Sequence, residues 1–253
     1  DCRVTLFDKG RGLGGRLATR RVGEGLTFDH GAQFVTARGS AFRDLLRRLE
    51  AAGAAAPWTP RQAGPAAGGQ GWWVGRPGMG KLVRPLAEGL ETHLETRVAA
   101  LEEADAGWRL HTEDREPFGP FDRLVVAIPP AQAAELLAGR PEAAALGAVE
   151  IAPCWAALLA FADPLSVPFD IWRDEAEGDE MGLLGFAARN GSKPDRPAEQ
   201  DCWVLHAGPA WSQANLEAAP EVVLPALTEA FAEVAGALPE PRYATAHRWR
   251  YAR

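Results

Sequence analysis

The sequence predicts a mixed α/β fold, α+β overall, in which an incomplete dinucleotide-type layer is interleaved with a mostly antiparallel sheet domain that also carries helices. Three observations predict it. "RVTLFD" (3–8) is a short apolar run that ends in an acid and meets a glycine-rich loop, as a strand does where it turns into a ligand site. "CWAALLAFADP" (154–164) is apolar throughout, the pattern of a strand buried on both faces. Strand-like and helix-like runs mix without strict alternation, so a second, antiparallel sheet is expected beside the first layer. With 253 residues, 47% of them hydrophobic, the chain can bury the core of one large domain or two smaller ones.

The elements follow in order. Residues 3–8 form the first buried strand. Phe42, Leu45, Leu46 and Leu49 recur at helical spacing, and Gly53 is a stop. Residues 54–71 are rich in Ala, Pro and Gly, have no period, and read as a surface loop. "WWVG" (72–75) is a strand and "RPGMG" a turn. A helix burying Leu82, Leu86, Leu90 and Leu94 is expected next, with Pro85 near its first turn. "TRVAALEE", "GWRLHTED" and "FDRLVVAI" read as three strands, the last ending at Pro129-Pro130, and a helix runs through "AQAAELLAG". After 154–164, "MGLLGFAA", "DCWVLHAG" and "YATAHRWRY" are further strands. Pro220 opens a helix through Val223, Leu227, Phe231 and Val234, with Pro225 a place for a kink. No internal repeat is found.

Net charge is -7, from 27 basic and 34 acidic residues, which argues against general nucleic-acid binding. Three widely separated cysteines, Cys2, Cys154 and Cys202, have no metal-ligand spacing and fit free thiols in a reducing compartment. No signal peptide and no run long enough to span a membrane is read, so a cytoplasmic protein with no membrane partner is expected. The chain opens without Met and stops at "HRWRYAR", inside a strand-like run, so both ends read as cuts.

The chemistry gathers in "RVTLFDKGRGLGGRLATRR" (3–21). An acid ending such a strand accepts hydrogen bonds from an adenosine ribose, and Asp8 is placed for that. Gly14-Gly15 let the backbone approach a ligand closely. Lys9, Arg11, Arg16, Arg20 and Arg21 concentrate positive charge in one loop of an acidic chain, as a pyrophosphate-linked dinucleotide requires. A solvated basic turn between two elements would have the same composition, and spacing alone leaves both readings open.

"LFDKGRGLGGRLATRR" is similar to the acid-Lys-x-x-x-x-Gly-Gly-Arg segment of the FAD-dependent amine oxidase superfamily. "FDHGAQFVTAR" follows at the spacing seen in renalase and its bacterial relatives. "WVGRPGMGKL", "FDRLVVAIPPAQAAELL", "PCWAALLAF", "ARNGSKPDR", "WVLHAGPAWSQANLE" and "HRWRYAR" continue the match in family order. The chain therefore resembles the bacterial renalase-like FAD oxidoreductases along nearly its whole length.

That resemblance implies FAD bound by a Rossmann-like domain (1–34 and 76–129) and a substrate domain (35–75 and 130–253). It implies that Asp8 and Lys9 stand near the adenosine ribose. Gly14, Gly15 and Arg16 would lie along the pyrophosphate and ribityl chain, and His30, Gly31, Ala32, Gln33 and Phe34 near the flavin. Val98 would contact the adenine through its backbone. Asn190, His247 and Arg248 would face the flavin cavity as its catalytic polar groups, with Trp73, Phe186 and Trp249 as candidate walls. Arg248, and with it Arg189, would steer an anionic substrate. A proton-transfer role for His30 is not expected. His93 and His111 read as surface residues, Cys154 as a buried inert thiol, and Met79 as packing. No metal site and no Ser-His-Asp set can be assembled from these positions.

The implied reaction is hydride transfer to FAD from a small dihydronicotinamide-type substrate, an isomer of NAD(P)H, with O2 reoxidising the flavin to give hydrogen peroxide. An amine-type substrate on the same fold, and a scaffold that has lost FAD, are the alternatives. The match starts at the second strand of the FAD domain, without the G-x-G-x-x-G turn, and lacks the final FAD segment. The 253-residue chain is therefore expected to bind FAD weakly, the intact parent being the enzyme.

Overall fold

A computed structural model describes residues 2–64, 71–113, 116–174, 181–197 and 199–253. The strands are β1 (Thr5–Phe7), β2 (Thr19–Val22), β3 (Leu26–Asp29), β4 (Val35–Thr36), β5 (Ala55–Trp58), β6 (Gln62–Ala63), β7 (Trp72–Gly75) and β8 (Glu91–His93). They continue as β9 (Val98–Ala104), β10 (Gly107–Thr112), β11 (Phe118–Phe121), β12 (Cys154–Phe161), β13 (Ile171–Arg173), β14 (Leu184–Arg189), β15 (Asp201–Ala207) and β16 (Tyr243–Trp249). The helices are α1 (Ser40–Ala51), α2 (Pro130–Leu136), α3 (Pro141–Gly147), α4 (Pro209–Ala214) and α5 (Pro220–Ala235).

By packing, the chain forms two compact units, residues 1–13 with 87–151 and residues 14–86 with 152–253. In the first, β1 pairs in parallel with β8. β9, β10 and β11 form an antiparallel meander, and α2 and α3 complete the unit. Phe7 stacks on His93 at 4.9 Å and meets Phe118 edge-on.

The second unit is built on a six-stranded sheet in the order β16-β12-β15-β14-β13-β6. Its centre explains the all-apolar run at 154–161. Trp155, Ala157, Leu159 and Phe161 of β12 share one core with Val223, Leu227 and Phe231 of α5. Leu158 and Ala160, on the opposite face, pack with Leu26 and Phe28 of the β2–β3 hairpin. One strand thus serves two cores, because alternate side chains point to opposite faces. A third core joins Leu46 and Leu49 of α1 to the β4-β7-β5 sheet through Trp58, Trp72 and Val74.

Several expectations are corrected. Residues 54–58 are not a surface loop: Ala55 is fully buried in β5, paired with β7, and β6 follows. The rest of that expected loop, 65–70, lies outside the described residues. No helix joins Leu82, Leu86, Leu90 and Leu94. The segment forms two 3-10 turns, Met79–Val83 and Pro85–Ala87, then β8. Pro85 cannot donate to an α-helical ladder, and Leu86 is exposed. "FDRLVVAI" contributes only its first residue to a strand, and Val125 is 87% exposed. Phe42 faces solvent from α1 rather than the core. The α5 helix continues through Pro225 to Ala235, where Gly236 takes φ 83° as it ends.

Candidate functional site

The β2–β3 hairpin separates its polar residues by face. Thr19 pairs with Asp29, and Arg20 with Phe28 on the other face. Asp29 is fully buried. Its Oδ1 accepts hydrogen bonds from Thr19 Oγ1 (2.7 Å) and the Met79 amide (2.9 Å). Its Oδ2 accepts from Lys193 Nζ (3.2 Å) and from Arg196 Nε (3.2 Å) and Nη2 (2.7 Å). Both cations are themselves fully buried at the side chain. Burial alone would raise the Asp29 carboxyl. The Lys193 and Arg196 charges, the Met79 amide and the Thr19 hydroxyl outweigh it and hold the group well below the usual carboxylate range.

This brace seats residues 30–34. Gln33 Nε2 donates to the carbonyls of Asp29 and Gly31, and its Oε1 accepts from Lys193 Nζ at 2.9 Å. The His30 carbonyl accepts from Trp249 Nε1 (2.9 Å) and lies 3.3 Å from His206 Nε2. Three successive carbonyls are therefore held by side chains. The Gly31 and Gln33 amides have no acceptor among the described residues. The Ala32 amide donates to the Arg16 carbonyl at 2.9 Å. Gly31 is required at that crossing, since a Cβ there would lie 2.0 Å from the Arg16 carbonyl oxygen. Gly14 (φ 117°) and Gly15 (φ 46°) take backbone conformations that other residues rarely adopt.

Beside this segment, three rings meet. His30 and His247 lie edge-on at 4.8 Å, and Trp249 lies 5.0 Å from His30 and 4.7 Å from His247. Burial first, then His247 and the Arg20 guanidinium, pull the His30 imidazole down to about 4. Burial and Arg20 lower His247 as well. Burial takes His206 to about 4. These rings are neutral at physiological pH. Because the unfolded chain binds protons on His30 and His206 at higher pH than the folded one, stability is lost as pH falls from about 6.5 towards 4. The urea midpoint should drop already between about pH 6.5 and 5, before most carboxylates titrate; a flat midpoint there would refute the neutral-ring reading.

The other expected residues have these surroundings. Asn190 is 1% exposed, its Oδ1 accepts from the Asp29 amide (3.2 Å) and Lys193 (3.4 Å), and its Nδ2 donates to the Thr27 carbonyl (2.9 Å). Arg248 is tied to Glu217 at 2.8 Å and to the Leu216 carbonyl. Arg189 is tied to Asp201 and the Leu165 carbonyl. Trp73 and Phe186 pack against the third core, and Phe34 stacks face to face on Trp72 at 4.1 Å. Burial pushes the Cys154 and Cys202 thiols up to about 11, so neither is a ready nucleophile. Among the described residues no group of three or more His, Cys, Asp or Glu could hold a metal ion. No helix there is long and apolar enough to cross a membrane.

In the first unit, the Asp8 Oδ1 accepts from the Gly10 amide at 2.7 Å, and its Oδ2 has no partner among the described residues. Lys9 Nζ reaches Gln132 Oε1 at 3.3 Å. Val98 is half-buried at the start of β9. His93 and His111 contact Glu91 and Glu102.

Each unit by itself presents groups that FAD could use. In the first, the open Asp8 oxygen is an acceptor of the kind a ribose needs. In the second, Gly14, Gly15 and Arg16 offer the bare backbone and positive charge a pyrophosphate needs, and the Gly31 and Gln33 amides are donors of the kind an acceptor-rich flavin edge needs. Sequence reasoning singled out these segments but not Asp29, Lys193 and Arg196, although "FDHGAQ" and "GSKPDR" both lay in the matched motifs.

Comparison with known proteins agrees. Residues 52–253 match the family model described as flavin containing amine oxidoreductase, and residues 1–49 match the NAD(P)-binding Rossmann-like domain. A structure from Exiguobacterium sp. 255-15, described as a candidate protoporphyrinogen oxidase, is 14% identical with a TM-score of 0.74, over 97% of this chain and 80% of that one. Cyclohexylamine oxidase from Brevibacterium oxydans IH-35A is 16% identical with a TM-score of 0.54, over 72% of this chain and 40% of that one. Reduced UDP-galactopyranose mutase is 13% identical with a TM-score of 0.53, over 72% and 42%. At such identities the likeness is one of fold. The chain spans less than half the length of the last two.

Proposed function

Since the chain belongs to the flavin-containing amine oxidoreductase family, and so is an FAD-dependent oxidoreductase, we propose that it oxidises a reduced nicotinamide-type substrate, an isomeric dihydro-NAD(P), in the manner of the renalases. The motif resemblance supports this reading, and one observation carries it. His30, His247 and Trp249 form one ring cluster with centroids 4.8, 5.0 and 4.7 Å apart, and beside the rings themselves the charge that bears on His30 and His247 is that of Arg20, a cation. Such a surface suits a flat, uncharged ring attached to an anionic dinucleotide. A substrate ammonium would be repelled there.

Bound FAD supplies the two-electron acceptor. The chain's own residues bind, orient and exclude water. His30, His247 and Trp249 offer a weakly polar ring surface against which a dihydronicotinamide ring can lie. Arg20 attracts the phosphates. Hydride transfer requires no side-chain nucleophile, and none is assigned. In the net reaction the substrate loses a hydride and becomes the aromatic nicotinamide cation, and O2 takes the two electrons and two protons, one of them from solvent, to give hydrogen peroxide.

Cytoplasmic location, and the assignment of 1–34 with 76–129 to FAD and 35–75 with 130–253 to substrate, belong to this proposal. An amine substrate is the second reading, favoured by the description of the family. It calls for aromatic faces turned towards the ammonium group, whereas Phe34 and Trp72 cover each other's faces.

The test is peroxide formation with FAD-loaded protein offered dihydronicotinamide isomers and, separately, primary amines. Turnover of the dinucleotides alone supports the proposal, and turnover of amines alone overturns it. Arg20→Gln should raise KM for the dinucleotide by about tenfold, the effect of one partly screened charge, with kcat largely kept. An unchanged KM would remove Arg20 from this role.

A further inference from the structure

We propose that Lys193 is the positioning residue of the 29–34 segment: through Asp29 and Gln33 it keeps the backbone carbonyls turned inward and the amide donors outward. Its importance for the reaction rests on the reading that this segment lies along the cofactor; the hold itself does not.

Lys193 reaches the segment at both Asp29 and Gln33. Its Nζ contacts Asp29 Oδ2 (3.2 Å), Gln33 Oε1 (2.9 Å) and Asn190 Oδ1 (3.4 Å). A side-chain amide can flip, and the Lys193 contact selects one orientation for Gln33. With Oε1 bound to the ammonium, Nε2 must face the carbonyls of Asp29 and Gly31. A flipped Gln33 would set its carbonyl oxygen against both and present its NH2 to the ammonium. Asn190 is oriented in the same way, with its oxygen shared between Lys193 and the Asp29 amide. One cation therefore sets the polarity of two amides and, through them, of the backbone.

Arg196 does not duplicate this. It bonds Asp29 and the carbonyls of Gly75 and Pro194, but not Gln33. The site holds two buried cations against the single carboxylate of Asp29. Lys193 is thus the charge that can be removed while leaving a balanced Asp29–Arg196 pair. Burial, with Arg196, brings the Lys193 ammonium down to about 8, and Asp29 offsets part of the shift.

The groups facing Lys193 are few. Asp29 comes from β3, Arg196 from its own loop, His206 from β15, and the Trp58 ring of β5 lies 5.4 Å away.

The experiment is amide hydrogen exchange on the protein without FAD, read by NMR at Asp29 and Ala32, whose N–H groups bond Asn190 and Arg16. At about pH 7, Lys193→Met should lower protection at these two amides about tenfold while that of β12 amides and the urea midpoint stay unchanged. Lys193→Arg, which keeps a cationic donor, should retain most of the protection. If Lys193→Met does not fold, Lys193→Gln is read in its place. Wild-type protection in the uncharged variant, or an equal loss at β12, overturns the hold. FAD affinity is measured separately by flavin fluorescence. The expected exchange pattern in a protein that FAD does not bind would uphold the hold and overturn the cofactor reading.

Discussion

Gly31→Ala should lower the affinity for FAD below that of the unaltered chain and lower the unfolding free energy by about 3 kcal/mol, the upper part of the range for overpacking a closed site. The added methyl would sit 2.0 Å from the Arg16 carbonyl oxygen and 2.9 Å from its carbon. These are backbone atoms, so no side-chain rotation relieves the contact. The Ala32–Arg16 hydrogen bond at 2.9 Å fixes the two chains at this spacing, and the next neighbour is the Trp249 ring at 3.4 Å. The Gly14–Arg16 loop and the 30–34 segment, both expected to touch the cofactor, must separate. The readouts are FAD affinity, from a titration followed by flavin fluorescence, and the urea midpoint. An unchanged FAD affinity in the variant would show that the close approach of the two segments is not needed for the cofactor.

How far the sequence revealed this arrangement depends on the range of the interactions. The strands at 154–161, 201–207 and 243–249 and the helix at 220–235 were legible, because continuous apolarity and i, i+4 spacing are local patterns that burial imposes. The glycine loop at 14–15 and the "HGAQF" segment were legible as motifs. The strand at 55–58 was not: "AAPW" has neither β-branched residues nor alternation, and it is a strand because β7 and α1 cover it. The leucines at 82, 86, 90 and 94 imitate a helix, but Pro85 and the parallel pairing of β8 with β1 override the period. Asn190 and Arg248 were expected at the flavin cavity on the resemblance alone, and the sequence does not disclose their distant partners. Asn190 bonds Asp29, and Arg248 bonds Glu217 across 31 residues. The brace was the least legible feature. Asp29 and Lys193 are 164 positions apart, and each looks like an ordinary surface charge until the fold buries them together.

That brace yields the other large expected effect. Asp29→Asn should cost about 3–5 kcal/mol, the range for leaving buried charges without their partner. The change is nearly isosteric, so packing is not the cause. Asparagine can still accept from Thr19 and the Met79 amide through one oxygen. Its NH2 group then faces Lys193 and Arg196, both donors, and two buried cations are left with no anion. Neutralising one of them should recover part of the loss. In Asp29→Asn/Lys193→Met a single cation remains, so the double variant should be more stable than Asp29→Asn alone, by a coupling of about 1–3 kcal/mol. The urea midpoints of the wild type, the two single variants and the double variant close the cycle. If the losses simply add, the energetic link between Asp29 and Lys193 is absent and their contact at 3.2 Å is a consequence of packing. If they couple, the charge balance beneath the 29–34 segment is what keeps that segment in place. Changes in cofactor affinity should then follow the coupling rather than either substitution alone.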